Sequence, residues 1–451
     1  MSAQWIKDAV IYHIYPLGAL AAEEKNDFSS QPKSRIGSLG QWIPHLKRLS
    51  VNTVLFGPIW ESSGHGYDTA DLFTVDRRLG TNDDVKALFR TFHEAGIRVI
   101  VDSVFHHTGR DFFAFRDMRE KREGSRFSGW YSGVDFSRRS PFGDPFSYDG
   151  FKGCYDLVKL NLHNSEVRDH LFAAVRLWIE EFGIDGMRID AADRVDANFL
   201  SDLSSFCRNL KHDFWMLGEV VHGDYRNWAN ERVLDSVTNY ECYKGLWSSL
   251  NDKNYFEIAY ALNRQFGQGG LYRGLLLYSF ADNHDVDRVS SSLKEARHLY
   301  PLYLLLFAMP GIPSIYYGSE VGVLGKKRPD TDRDLRPALD SSSLWETAPH
   351  RDLLPSIERF AAIRSSSEAL KTGSYQELLV RSEQFAFLRR SGGESLVVIL
   401  NADTEKTEVS FPLPLSGVSA YDILNNEGVE TRGGQLSCSL YPSWGRIIRL
   451  S

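Results

Sequence analysis

NDDVKALFRTFHEAGIRVIVDSVFHH, residues 82–107, contains a whole helix-to-strand unit, and the rest of the chain follows from its pattern. Val85, Leu88, Phe89, Phe92 and Ala95 recur at helical spacing, with Asn82 as the candidate N-cap and Gly96 as the stop. A Val- and Ile-rich strand, 98–105, follows at once. The unit recurs between Glu166 and Gly183, where Val167, Leu171, Val175, Trp178, Ile179 and Phe182 make a second apolar stripe ahead of the short strand Gly186–Ile189. The other strand candidates are 10–15, 53–59, 214–220, 236–240, 275–280 and 314–317, eight in all. Eight strands separated by helical segments predict an α/β fold, a (β/α)8 TIM barrel formed by 1–106 and 162–371. Residues 107–161, mixing Gly, Ser, Arg and Asp with many aromatics, form an inserted subdomain after strand three. Past Thr372 strict alternation takes over, with Gly392-Gly393 as a hairpin signal, so 372–451 reads as an antiparallel β-sandwich.

Composition excludes several function classes. Across 451 residues, 52 Lys and Arg stand against 59 Asp and Glu, a net charge of −7 with no basic run, which argues against a nucleic-acid partner. The four cysteines, Cys154, Cys207, Cys242 and Cys438, lie far apart without a Cys-x-x-Cys, and read as free thiols in a reducing compartment. The apolar stretch from Ala9 to Ala22 is broken by His13, two tyrosines and Pro16, so it reads as a strand and not as a signal peptide. No apolar run reaches the roughly 18 residues of a membrane span. A cytoplasmic protein without a membrane partner is expected.

Catalytic groups of such a barrel sit where strands end at its C-terminal face. Strand three ends in Asp102 and His107, strand four in Arg188 and Asp190, strand five in Glu219, and strand seven in Asp282, His284 and Asp285. Like charges on a dry rim raise the pKa of at least one of them, so one carboxyl holds a proton while another stays ionised. Glycoside hydrolysis requires that division: one acid protonates the leaving oxygen, and the other attacks or stabilises the sugar carbon. Arg188, two residues before Asp190 and so on the same strand face, should hold that carboxylate ionised. A lone Asp at a strand end is more often a cap than a catalyst; convergence of four strands shifts the balance. His13 and His298 read as packing or surface residues, and the adjacent His106 and His107 should face apart and not share a metal ion. The aromatics of the insertion read first as a small core, with Trp130 or Tyr131 supplying part of a sugar-stacking wall.

The segments Gly64-His-Gly-Tyr-Asp-Thr69, Asp102-Ser-Val-Phe-His-His107, Gly186-Met-Arg-Ile-Asp190, Gly218-Glu-Val220 and Phe280-Ala-Asp-Asn-His-Asp285, in this order, resemble the conserved regions of the α-amylase superfamily of glycoside hydrolases. The resemblance implies a retaining mechanism, with Asp190 as nucleophile, Glu219 as general acid/base and Asp285 as the third, sugar-binding carboxylate. It also implies Tyr67 as the ring under the reacting sugar, Asp102, His107, Arg188 and His284 as its polar clamp, and Asp334 with Arg336 as a pair on the next sugar outward. The nucleophile and acid/base carboxyls would lie roughly 5–5.5 Å apart. Val158-Lys-Leu-Asn161, Asn164-Ser-Glu-Val-Arg168, Gly218-Glu-Val-Val-His222 and Asp235-Ser-Val-Thr-Asn-Tyr240 look most like the neopullulanase, cyclomaltodextrinase and maltogenic amylase group, which cuts α-1,4 and sometimes α-1,6 bonds in short or cyclic glucans.

Two departures limit the carry-over. The sequence opens on strand one, without the N-terminal β-domain through which many of that group dimerise, so neither dimerisation nor cyclodextrin preference is carried over; monomer and homodimer both stay open. His106 stands where many amylases have a calcium-binding asparagine, and imidazole suits Ca²⁺ poorly. No cofactor is therefore expected, and a structural calcium has no support in the sequence. The alternatives are a transglycosidase or isomerase of the same superfamily, a non-catalytic sugar-binding homologue, and a metal-dependent barrel hydrolase.

Overall fold

The computed structural model describes residues 3–339 and 348–451. Eight short parallel strands form the barrel: β1 (Ile11–Ile14), β2 (Thr53–Phe56), β3 (Arg98–Ser103), β4 (Gly186–Ile189), β5 (Trp215–Gly218), β6 (Ser236–Val237), β7 (Tyr278–Phe280) and β8 (Ile312–Tyr316). Each pairs with its neighbour in sequence, β8 pairs with β1, and a parallel bridge between Thr238 and Tyr278 closes the ring between β6 and β7. Nearly every strand residue is buried, because both sheet faces are covered, and this explains the continuous apolar runs in the sequence.

All eight candidate strands are present, mostly shorter than the sequence pattern suggested. Val104, Phe105 and Val220 are buried and apolar yet lie beyond the paired ladder, where the chain is already turning toward the rim. The helix between β2 and β3, α1 (Asn82–Glu94), is capped by Thr81 and not by Asn82. Thr81 and Asp84 form a reciprocal capping box, while the Asn82 side chain accepts a hydrogen bond from the Val75 N–H at 2.8 Å. In α2 (Ser165–Glu180) the Asn164 side chain caps the N-terminus.

Between β3 and α2 a small antiparallel sheet pairs Cys154–Lys159 with His107–Gly109 on one side and Gly150–Phe151 on the other. Past the barrel, β9 (Ser374–Val380), β10 (Gln384–Ser391) and β11 (Glu394–Asn401) open an eight-stranded antiparallel sheet, with Gly392-Gly393 turning β10 into β11. Its alternation separates two cores. Phe385, Phe387, Leu396, Val398 and Leu400 join the barrel's core, whereas Ala386, Leu388, Val397 and Ile399 pack against Val409, Phe411, Leu436 and Leu440 inside the sandwich. The helix Leu299–Ala308 lies at this seam and is apolar nearly all round, as a helix covered on every side must be. Among the described residues no helix is long and apolar enough to cross a membrane, and all four cysteines are free.

Candidate active site

Strand register assembles the polar centre. In the parallel ladder Asp102 of β3 stands beside Arg188 of β4, so their side chains share a barrel face. One Arg188 Nη donates to both Asp102 oxygens at 2.8 Å and to Asp190 Oδ1 at 3.0 Å, and the other lies 2.9 Å from Glu219 Oε2. A single buried guanidinium therefore holds three carboxylates from three consecutive strands. After Asp190 the chain turns sharply through Ala191, whose φ is 44°, and the Ala191 N–H donates to Glu219 Oε2 at 3.1 Å. Gly218 keeps Glu219 close: a Cβ there would lie 2.4 Å from Leu234 Cδ1 and 2.9 Å from Ala192 Cβ.

The other half of the site comes from the loops after β2, β7 and β8. The Tyr67 hydroxyl donates to Asp102 Oδ2 at 2.9 Å, and the Tyr67 ring stacks on His284 at 5.3 Å between centroids. His284 Nε2 lies 3.0 Å from Asp285 Oδ2, and Arg336 donates to Asp285 Oδ1 at 3.2 Å. The Asp285 N–H donates to Asn283 Oδ1 at 2.8 Å; Asn283 Nδ2 donates to the Tyr240 hydroxyl, which donates to Glu219 Oε1, both at 3.2 Å. Tyr240 and Asn283 thus couple the β5 carboxylate to the β7 loop.

Burial is the largest influence on Asp190 and pushes it well above the usual carboxylate range; Arg188 opposes the rise, while the Glu219, Asp102 and Asp285 charges add to it. Arg188 is in contact with Asp190, as expected, but its pull toward the ionised form is outweighed. The guanidinium is divided among three acids, so desolvation and like-charge repulsion prevail. Asp102 is raised by burial for the same reason, against the pull of Arg188. Burial would raise Asp285 too, but His284, Arg336 and Arg188 outweigh it and hold it well below the usual range. His107 is pushed down to about 3 by burial and the neighbouring imidazoles, so it is a neutral ring.

A cleft of about 1790 Å³ opens above these groups, and Tyr67, His107, Asp190, Glu219, Tyr240 and Asp285 all line it. Asp102, Arg188 and His284, expected in the sugar clamp, do not reach its wall; they lie beneath and orient Tyr67, Asp190 and Asp285. Trp130 and Tyr131 are also corrected. Trp130 packs among Phe113, Phe127 and His170 with its indole N–H on Glu166, and Tyr131 is buried against Phe115 beside Thr108. The subdomain needs both rings as core; Phe151 and Leu157, from its outer hairpin, face the cleft instead. Asp334 and Arg336 both line the cleft but are not partners: Arg336 binds Asp285 and Asp332, and Asp334 binds Arg328 at 2.6 Å. The His106 and His107 rings, expected to face apart, meet with Nδ1 atoms 3.3 Å apart, because both lie beyond β3 where strand alternation lapses. Among the described residues no group of three or more His, Cys, Asp or Glu is arranged to hold a metal ion. Sequence reasoning missed Tyr240, Asn283 and Asp332, although Tyr240, just past the end of β6, follows the same strand-end rule as the others.

The model of the α-amylase catalytic domain matches residues 28–353. The chain belongs to the α-amylase family. The model of the maltogenic amylase C-terminal domain matches 375–446, on the sandwich. Among relatives of this α-amylase family chain, neopullulanase 2 of Thermoactinomyces vulgaris is 30% identical over 99% of this chain and 78% of its own length. A cyclomaltodextrinase structure superposes with a TM-score of 0.87 at 25% identity, covering 100% of this chain and 79% of that one. The cyclic α-maltosyl-(1→6)-maltose hydrolase of Arthrobacter globiformis superposes with a TM-score of 0.81 at 25% identity, covering 100% of both chains.

Proposed function

We propose that the protein is a retaining glycoside hydrolase that cleaves α-1,4 and secondarily α-1,6 glucosidic bonds in malto-oligosaccharides or cyclic α-glucans. The observation that carries this reading is Arg188 bridging Asp102, Asp190 and Glu219 beneath a cleft into which Asp190, Glu219 and Asp285 all open. In the first step Asp190 attacks the anomeric carbon while the glycosidic C–O bond breaks and Glu219 gives its proton to the leaving oxygen. In the second, Glu219 takes a proton from water, whose oxygen displaces Asp190 and releases the sugar. Positive charge developing on the sugar favours the ionised form of Asp190. Asp285, held ionised by His284 and Arg336, is suited to accept sugar hydroxyls, and Tyr67 supplies a flat face below the ring.

The family relationship supports the reaction, and the relatives named for cyclic α-glucans and for pullulan support the substrate class. Asp190→Asn and Glu219→Gln should each lower kcat on maltotriose by about 10²–10⁴-fold or more while the proteins stay folded. Substantial turnover by Asp190→Asn would remove Asp190 from its role. Chromatography of products from maltotriose, panose, pullulan and a cyclodextrin separates hydrolysis from glycosyl transfer. The reaction as written needs no cofactor, so activity should survive prolonged chelation; loss reversed by one added metal would overturn that. Free thiols, one of them the exposed Cys154, support a reducing, cytoplasmic compartment.

A further inference from the structure

At the opposite end of the barrel from the catalytic cleft, where residues 274–276 lead toward β7 and Pro310 and Gly311 lead into β8, a cavity of about 610 Å³ opens against the first residues of the C-terminal sheet. Its walls are unbalanced in charge. Among the described residues that line it, Arg273, Lys371 and Arg389 are cations and none is an acid.

Arg389 is fully buried and finds only carbonyl oxygens, of Ala308 and of Gly373, while its Nε–H has no partner. Behind it Arg364, also fully buried, donates to the carbonyls of Phe307, Leu370 and Gly311 and meets no carboxylate. Burial pushes Arg364 down to about 10, and burial together with Arg364 pushes Arg389 down to about 9. The Tyr375 hydroxyl in the same wall is buried without a partner, and exposed Arg273 makes no hydrogen bond or ion pair with the described residues. Lys371 reaches Asp8 at 2.8 Å, outside the cavity lining.

Two guanidiniums held in protein against carbonyl dipoles alone are poorly compensated. What is missing is an acceptor-rich anion. A tetrahedral oxyanion offers several acceptor positions to guanidinium, ammonium and phenol donors, and its charge offsets the local excess. We propose that this cavity binds a small oxyanion of the phosphate class, which ties the barrel floor to the C-terminal domain. The site stands apart from the glycosidase cleft and does not depend on the reaction proposed there.

The experiment titrates the intact protein with inorganic phosphate, with a hexose phosphate, and with sodium chloride at matched ionic strength, following heat of binding and thermal midpoint. Saturable binding and a raised midpoint with either phosphate, but not with chloride, are expected. Response to both marks the phosphoryl group as the recognised element, and response to inorganic phosphate alone excludes room for a sugar. Tyr375→Phe removes a hydroxyl that bonds nothing, and Arg273→Ala removes an exposed side chain. Both should fold, and each should weaken binding about tenfold or more. Absence of saturable binding, or binding unchanged in both variants, overturns the proposal.

Discussion

Arg188 is the residue on which the site turns. Its guanidinium must neutralise Asp102, Asp190 and Glu219 together, so the protonation of Asp190 depends on how much of that charge the others take. Because Asp190 is held high, activity requires it to ionise, and the acid limb of kcat/KM should lie above the range of a free aspartate, with activity lost as pH falls through the raised value. Asp102→Asn removes one charge that lifts Asp190 and leaves Arg188 freer to stabilise it. The acid limb should therefore move to lower pH, as read from the pH profile on a chromogenic maltoside; movement upward would mean that Asp102 acts mainly by placing Arg188. The type and approximate place of each of these side chains were legible in the sequence, since all close a recognisable strand. Their sharing of one cation was not, because register between β3, β4 and β5 is a tertiary property.

At the scale of elements, local signals read well wherever the chain itself supplied the partner. The apolar stripe of α1 is as the spacing predicts; the helix ends at Glu94 with Ala95 as its C-cap, just ahead of the expected stop at Gly96, and the N-cap moved by one residue, to Thr81. Thr81→Ala removes the side-chain half of the capping box, leaving the Thr81 N–H on Asp84, and should cost about 1 kcal/mol, seen as a lower thermal midpoint with kcat unchanged. No change in midpoint would show that tertiary packing alone holds that end. The inserted segment was harder to read. Its aromatics carry no periodicity that separates core from cleft wall, so Trp130 and Tyr131 could not be sorted from Phe151 until the small sheet of 107–109, 150–151 and 154–159 was in place.

In the whole molecule, barrel and sandwich share a continuous apolar seam through helix Leu299–Ala308 and one face of β10 and β11. Gly445 permits the approach: a Cβ there would lie 2.3 Å from Leu304 Cδ2 and 2.5 Å from the Ile399 carbonyl oxygen. Gly445→Ala should destabilise the protein by roughly 1–3 kcal/mol through overpacking, measured by thermal unfolding, without changing product pattern. An unaltered midpoint would mean that the two domains tolerate separation at this point. By itself the sequence determined the alternating helix and strand order, the switch to a sheet-forming tail and the identity of the rim carboxylates, because periodicity and strand-end chemistry are properties of neighbouring residues. Only the tertiary structure decided which groups share Arg188, which aromatics face the cleft, that Arg336 joins Asp332 and not Asp334, and where two buried arginines meet without an acid. Those outcomes depend on burial and on contacts between residues far apart in the chain, and linear spacing carries no measure of either.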